Sequence, residues 1–163
     1  MFNGNTVIQE ITSGFDHLQN GYAMFNGCTN LNKVISNFDK LQISAYMFSG
    51  CTSLKSFTGD LSHVINGERM FEGCTSLTSF TGDLSSLSSG IAMFGGCSAL
   101  TEFDNGNLNE LKYSSYMFSE CPFKSFTGDL SSLIDGYRMF YGCTSLTSFA
   151  GDLSSLVSGD GMF

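Results

Sequence analysis

The sequence predicts a single mainly β solenoid, a stack of about seven right-handed coils of about 23 residues each. A Met-Phe pair recurs at positions 1, 24, 47, 70, 93, 117, 139 and 162, and all eight methionines of the chain belong to these pairs. A cysteine follows the methionine by four residues in six of the repeats, which accounts for all six cysteines. Each repeat has too few apolar positions for a core of its own, so the coils must stack to bury one.

The repeat follows the template M-F-x-G-C-x-x-L-x-x-F-x-G-D-L-x-x-L-x-x-G-x-x, and coil 4, which begins at position 70, matches it closely. Because like positions of successive coils align in a stack, the apolar positions of the template should form columns inside it. In coil 4 the predicted core residues are Met70, Phe71, Cys74, Leu77, Phe80, Leu84 and Leu87.

Each coil contains three segments with different predicted backbones. The L-x-x-F-x-G segment predicts a short strand that points Leu and Phe inward and Ser or Thr outward. Gly-Asp ends this strand, because Gly permits a sharp bend and Asp accepts hydrogen bonds from nearby amides. L-x-x-L-x-x-G predicts a second extended or turning segment, and the Met-Phe-x-Gly-Cys segment predicts a helical turn.

Two coils depart from the 23-residue length. Coil 5 gains one residue within positions 104–107, where we expect a bulge or a wider turn after the strand. Coil 6 loses one residue at positions 121–123, and we expect Phe123 to take the position of the Leu.

Composition excludes several classes of partner. The net charge is -8 and the pI is about 4.4, which argues against nucleic acid or an anionic membrane surface as a partner. No apolar run approaches the ~18 residues of a membrane span, so we expect no direct membrane insertion. No signal peptide is visible at the start of the chain, and no motif predicts a cofactor.

The six cysteines predict free, buried thiols. One cysteine at the same position of each coil gives a column of parallel side chains, which is poor geometry for a disulfide. Disulfides between neighbouring coils and metal binding remain alternatives, although no C-x-x-C pair supports zinc.

Two further columns are candidate sites. The acidic column could hold Ca²⁺ between coils, but closure of its own turn by each carboxylate is the favoured interpretation. Its members are Asp60, Asp83, Asp129 and Asp152. The outward strand positions could form a docking surface for a protein or a glycan, an ice-binding array, or simply a solvated face. They are Ser56, Thr58, Ser79, Thr81, Ser125, Thr127 and Ser148.

The tyrosines cluster near the Met-Phe segment. They could form an aromatic edge for an interface, although half-buried tyrosines on a convex face are the commoner arrangement. They are Tyr22, Tyr46, Tyr113, Tyr116, Tyr137 and Tyr141.

The chain begins and ends on a core-type Met-Phe pair. Terminal coils of solenoids usually need polar caps. We therefore expect residues 1–163 to form one solenoid within a longer array, or to have their end coils covered by partners or by further copies of the chain.

The motif M-F-x-G-C-T-S-L-T-S-F resembles the BspA-type leucine-rich repeat of bacterial and protist surface proteins. The segment Ser36–Asp39 resembles a related Met-Phe repeat of mycoplasma-type surface lipoproteins. The resemblance implies a leucine-rich-repeat-like coil, an extracellular or cell-surface location and a role in adhesion. It brings no catalytic residues to this chain.

The sequence therefore predicts a non-enzymatic repeat scaffold of a surface protein, which binds a protein or glycan through its repetitive face. The alternative is a structural segment of an extracellular fibre, filament, or phage or cell appendage that assembles end to end. Catalysis would need a paired base and nucleophile in a pocket, and the sequence shows no such pattern.

Overall fold

The structure is a computed structural model that describes residues 1–103 and 107–163. Six short strands occupy the L-x-x-F-x-G segments of the described coils. They are β1 (Glu10–Ile11), β2 (Lys33–Ile35), β3 (Ser56–Thr58), β4 (Ser79–Thr81), β5 (Ser125–Phe126) and β6 (Ser148–Phe149).

The strands form parallel ladders in which like positions of successive coils meet. β1 to β4 make one four-stranded sheet, and β5 pairs with β6 in a second sheet. Within the first sheet, Val34 pairs with Phe57, and Phe57 pairs with Phe80. A further column of parallel bridges lies in the L-x-x-L-x-x-G segment and links all seven coils: Asn20, Ile43, Asn66, Ser89, Tyr113, Asp135 and Ser158. The predicted β solenoid is therefore confirmed.

The Met-Phe segment is a series of hydrogen-bonded turns rather than a helix. At the start of coil 3 the Met47 N–H donates to the Ser44 carbonyl three residues earlier at 2.9 Å, but the Phe48 N–H donates to the Met70 carbonyl of the next coil at 2.8 Å. Tyr46 and Gly50 have positive φ angles of 59° and 70°. An α-helix would direct every N–H to the carbonyl four residues earlier. Here alternate N–H groups join one coil to the next.

The predicted inward positions of coil 4 form the interior of the stack. Phe80 is partly buried and the other six are fully buried. The phenylalanines that follow the methionines form one stacked column, which we call the Phe column, with centroids 5.2 to 5.7 Å apart between adjacent coils. Its members are Phe2, Phe25, Phe48, Phe71, Phe94, Phe118, Phe140 and Phe163.

Phe123 replaces the Leu in the shortened coil 6. It is fully buried, and its ring meets Phe118 and Phe140 edge-on at 5.5 and 6.1 Å. The bulge predicted in coil 5 falls on residues 104–106, which lie outside the described part of the chain.

A second column of stacked rings continues from coil 2 to coil 3, although these two coils have different sequence motifs. In coil 2 the strand carries Val34, and a phenylalanine follows four residues later at Phe38. In coil 3 the strand itself carries Phe57, and a leucine follows four residues later. Phe38 nevertheless stacks on Phe57 with centroids 5.9 Å apart. The ring and the aliphatic side chain have exchanged positions in the sequence, so the column continues in space.

This exchange explains the Gly of the Gly-Asp turn. A Cβ added at Gly82 would lie 2.9 Å from Cζ of Phe80 and 3.2 Å from Cδ1 of Leu61. In coils 3, 4, 6 and 7, whose strands carry a ring, the position two residues later is a Gly. Coil 2 has a Val in the strand, and it has Ser36 at that later position.

We expect Gly82→Ser to lower the free energy of unfolding by about 1–3 kcal/mol, because the new side chain would displace the Phe80 ring. The control is Phe80→Val/Gly82→Ser/Leu84→Phe, which gives coil 4 the residues of coil 2 and should recover most of the loss. Urea unfolding measures both variants. Equal stability of Gly82→Ser and the unaltered chain would contradict the proposed coupling.

We also expect Phe71→Ala to lower the free energy of unfolding by about 3–5 kcal/mol, because it removes a fully buried ring from the Phe column. Thr75→Ala, which alters an exposed side chain one turn later, is the control. A loss below about 1 kcal/mol for Phe71→Ala would show that the column can close over the cavity.

Candidate functional site

The outward hydroxyl positions form two patches, which together we call the hydroxyl face. In coils 3 and 4 Ser56 pairs with Ser79 and Thr58 pairs with Thr81. In coils 6 and 7 Ser125 pairs with Ser148. Within the described residues, coil 5 contributes no strand, so the face is divided there. Ser56 is half-buried, whereas the other residues of the predicted face, including Thr127, are exposed.

The first patch continues into coil 2 with a different chemical character. Lys33 pairs with Ser56, and Ile35 pairs with Thr58. Ile35 is 42% exposed and places an apolar side chain beside the threonines. The surface of coils 2 to 4 therefore combines aliphatic and hydroxyl groups.

An open groove of about 970 Å³ lies beside this patch, along the ends of the strands. We call it the acidic groove. Most of its lining comes from the bends that follow β1 to β4, with carboxylates, hydroxyls and one ring edge. The residues that define its chemistry are Asp16, Asn37, Asp60, Phe80 and Asp83. The parallel register is what brings these bends together, because each bend follows its strand at the same position.

The aspartates of the acidic column each close their own turn. The N–H groups of Ser62 and Ser85 donate to Oδ1 of Asp60 and Asp83 at 2.9 and 2.8 Å. Asp129 and Asp152 accept the same bond at 2.9 Å. Hydrogen bonds from the Ser62 hydroxyl and N–H lower the pKa of Asp60. No cluster of three metal-ligating side chains occurs among residues 1–103 and 107–163.

Ser36 lies in the lining of the groove, at a position that the sequence pattern did not mark as a site. It is 8% exposed, and its hydroxyl oxygen has no hydrogen-bond partner within the described residues. The signal in the sequence was the departure of coil 2 from the Gly-Asp motif. The exchange of Val and Phe, described above, is what makes room for this side chain.

All six cysteines are free thiols that connect neighbouring coils. The Cys51 Sγ donates to the Phe25 carbonyl of the preceding coil at 3.2 Å, and Cys74 donates in the same way to Phe48. Burial raises the pKa of Cys51 and of Cys97 to about 12. These thiols are hydrogen-bond donors in the core and poor nucleophiles.

The tyrosines do not form one continuous edge. Tyr22 packs against Tyr46, and Tyr116 packs against Tyr137, each in an edge-on arrangement with centroids 5.9 and 5.5 Å apart. The two pairs lie in coils 1 to 2 and coils 5 to 6, with arginine, alanine and glutamate near the Met-Phe segments between them.

Comparison with known proteins identifies the repeat. A family model of the BspA-type leucine-rich repeat region matches residues 19–147 in six copies. The chain belongs to the BspA-type leucine-rich repeat family. BspA-type repeats are commonly surface-associated in bacteria, and they form a scaffold of a non-enzymatic type.

Among solved structures, this BspA-type chain is similar to a leucine-rich repeat protein from Bacteroides ovatus. The two are 18% identical, the match covers 95% of this chain and 67% of that one, and the TM-score is 0.36. No curated protein matches the chain. Among the described residues of the BspA-type repeat, no helix has the length and apolar character to span a membrane.

The buried thiols predict a pH dependence of stability. An unfolded cysteine titrates near 9, whereas burial raises the pKa of Cys51 to about 12 and that of the half-buried Cys143 to about 11. The fold therefore favours the neutral thiols. Their contribution is complete below pH 9 and is lost as the pH rises from 9 towards 12, because the unfolded thiols then release their protons first.

We expect the urea concentration at the unfolding midpoint to be lower at pH 10.5 than at pH 8.5. The decrease should be smaller in a Cys51→Ala/Cys97→Ala variant. At pH 8.5 iodoacetamide should label Cys143 before the other five thiols, because Cys143 is half-buried and the others are fully buried. Rapid labelling of Cys51 or Cys97 in the folded chain would contradict their burial.

Proposed function

We propose that the chain is a binding segment of a cell-surface or extracellular protein, and that it holds a glycan or protein ligand against the hydroxyl face of coils 3 and 4. The observation that carries this proposal is the acidic groove directly beside the paired hydroxyls. The BspA-type family supports the surface location. The proposed role is adhesion and involves no catalysis.

The chemistry of the groove favours a ligand rich in hydrogen-bond donors. Hydroxyl groups of Ser and Thr both donate and accept, whereas carboxylates only accept. Each groove aspartate of coils 3 and 4 uses Oδ1 for its own turn, so its second oxygen can accept from a ligand. Sugar hydroxyls, amides and ammonium groups are suitable donors.

The same chemistry disfavours anionic ligands. Asp16, Asp60 and Asp83 line one groove within a chain of net charge -8. A phosphate or a sulfated glycan would meet like charges and lose affinity. Ile35 and the edge of Phe80 provide apolar surface for a sugar ring or an aliphatic side chain.

Binding by a set of neutral glycans and purified glycoproteins, displayed on an array, tests the proposal. We expect Thr58→Lys/Thr81→Lys to lose about ten-fold or more in affinity, because two long cationic side chains would occupy the face beside the groove. Thr127→Lys, at the same position of coil 6, is the control and should bind normally. No binding by the unaltered chain, or equal binding by the double variant, would contradict the proposed site.

A second candidate function is a structural segment of a fibre, filament or appendage. Phe163 stacks on Phe140 with centroids 5.6 Å apart and is 64% exposed. Another copy of the chain, stacked end to end on this ring, would cover it. Sedimentation that increases with concentration, and that Phe163→Lys abolishes, would favour this function over adhesion by single molecules.

A further inference from the structure

We propose that a cavity of about 420 Å³ beside the Met-Phe segment of coil 5 receives one aromatic side chain of a partner protein, between Arg69 and Tyr116. This site is formed by other residues than the hydroxyl face and the acidic groove. It does not depend on the function proposed above.

The residue before each Met forms a column of its own, which we call the turn column. Its members are Ala23, Tyr46, Arg69, Ala92, Tyr116, Arg138 and Gly161. All seven have positive φ angles, between 48° and 60°. Because the backbone conformation is repeated, the side chains leave each coil in the same direction and lie one above another.

The turn column contains two pairs of the same kind. The Arg69 guanidinium lies 5.7 Å from the centroid of the Tyr46 ring, and the Arg138 guanidinium lies 5.9 Å from that of Tyr116. Each pair has a tyrosine in one coil and an arginine in the next. Such contacts are attractive because the cation faces the negative side of the ring.

The two pairs are separated by a gap just before Met93, the first residue of coil 5. There the turn column has Ala92, and Gly95 lies three residues later, where coil 4 has Glu72. The cavity lies over these small residues, with Ile91 and Ala92 in its lining, and Ala92 itself is 6% exposed. It is open between Arg69, which is 23 residues before Ala92, and Tyr116, which is 24 residues after it.

We infer the thickness of the gap from the spacing of the coils. In the neighbouring Phe column, the ring of coil 5 lies 5.4 Å from that of coil 4 and 5.7 Å from that of coil 6. A ring at the height of Ala92 would have the same spacing to Arg69 and Tyr116. It would contact a guanidinium on one side and a phenol ring on the other.

Charge selects an aromatic occupant over a basic one. A basic side chain in the gap would lie against the positive Arg69, whereas an aromatic ring gains a cation–π contact there. Glu72 and Glu120 line the same cavity, and Glu72 bonds to Arg69 at 3.0 Å. Carboxylates at the cavity can accept from an indole N–H, or attract a basic residue next to the aromatic one. The occupant we infer is therefore an aromatic residue adjacent to a Lys or Arg.

The decisive variant fills the gap with a tyrosine, which is the residue that the turn column already has at two other positions. Ala92→Tyr should be accommodated, because Tyr46 and Tyr116 have the same backbone conformation at the same position. The control is Ala23→Tyr, the same substitution in the turn column of coil 1, which leaves the gap open. We expect Ala92→Tyr to raise the melting temperature above that of Ala23→Tyr.

The probe is the dipeptide acetyl-Lys-Trp-amide, with acetyl-Lys-Ala-amide as its matched control, followed by NMR of the labelled protein. We expect the Trp peptide to shift the Ala92 methyl and Tyr116 ring signals, and to bind about ten-fold more tightly than the Ala peptide. Ala92→Tyr should abolish the response, and Ala23→Tyr should retain it.

Arg69→Met, which keeps the aliphatic stem and removes the cation, should weaken the response about three-fold or more without closing the gap. This variant tests the site even if Ala92→Tyr fails to fold. Absence of any shift with the Trp peptide, an equal response to both peptides, or undiminished binding by Ala92→Tyr or by Arg69→Met would overturn the proposal.

Discussion

Stacking of like positions on like positions is the constraint on which the rest of the structure depends. Alternate N–H groups of each Met-Phe segment donate to the next coil, and the strand register joins positions 23 residues apart in the first sheet. A side chain of an inner coil therefore has fixed neighbours in the coil before it and in the coil after it. A substitution in one coil changes the environment of three.

Inside the stack this constraint favours side chains that can pack against copies of themselves in the neighbouring coils. Flat rings stack at nearly constant spacing, and the thiols reach a carbonyl of the preceding coil without a bulky side chain. The constraint applies to positions in space rather than to positions in the sequence. Phe38 and Phe57 show this, because they occupy different positions of the repeat and still stack on each other.

Outside the stack the same constraint turns single substitutions into surface features. Coils 1 and 2 line the groove with different residues from coils 3 and 4. A Ser replaces the Gly of the turn, and the aspartates of coils 1 and 2 come later in the repeat. An Ala between Arg69 and Tyr116 leaves an open cavity beside the turn column. A repetitive scaffold thus gains distinct sites wherever a column is interrupted, and those interruptions are where binding specificity can arise.

The sequence by itself determined the architecture, because the period fixes which residues are neighbours. The apolar columns, the free thiols and the turn closed by Asp83 all follow from one coil repeated. Only the tertiary structure decided how the columns are interrupted. Contacts between coils decide three features of the described residues: the division of the hydroxyl face at coil 5, the Ser36 hydroxyl without a hydrogen-bond partner, and the turns in place of a helix at the Met-Phe segment. Those contacts join residues 23 positions apart, so local pattern and propensity along one coil do not contain them.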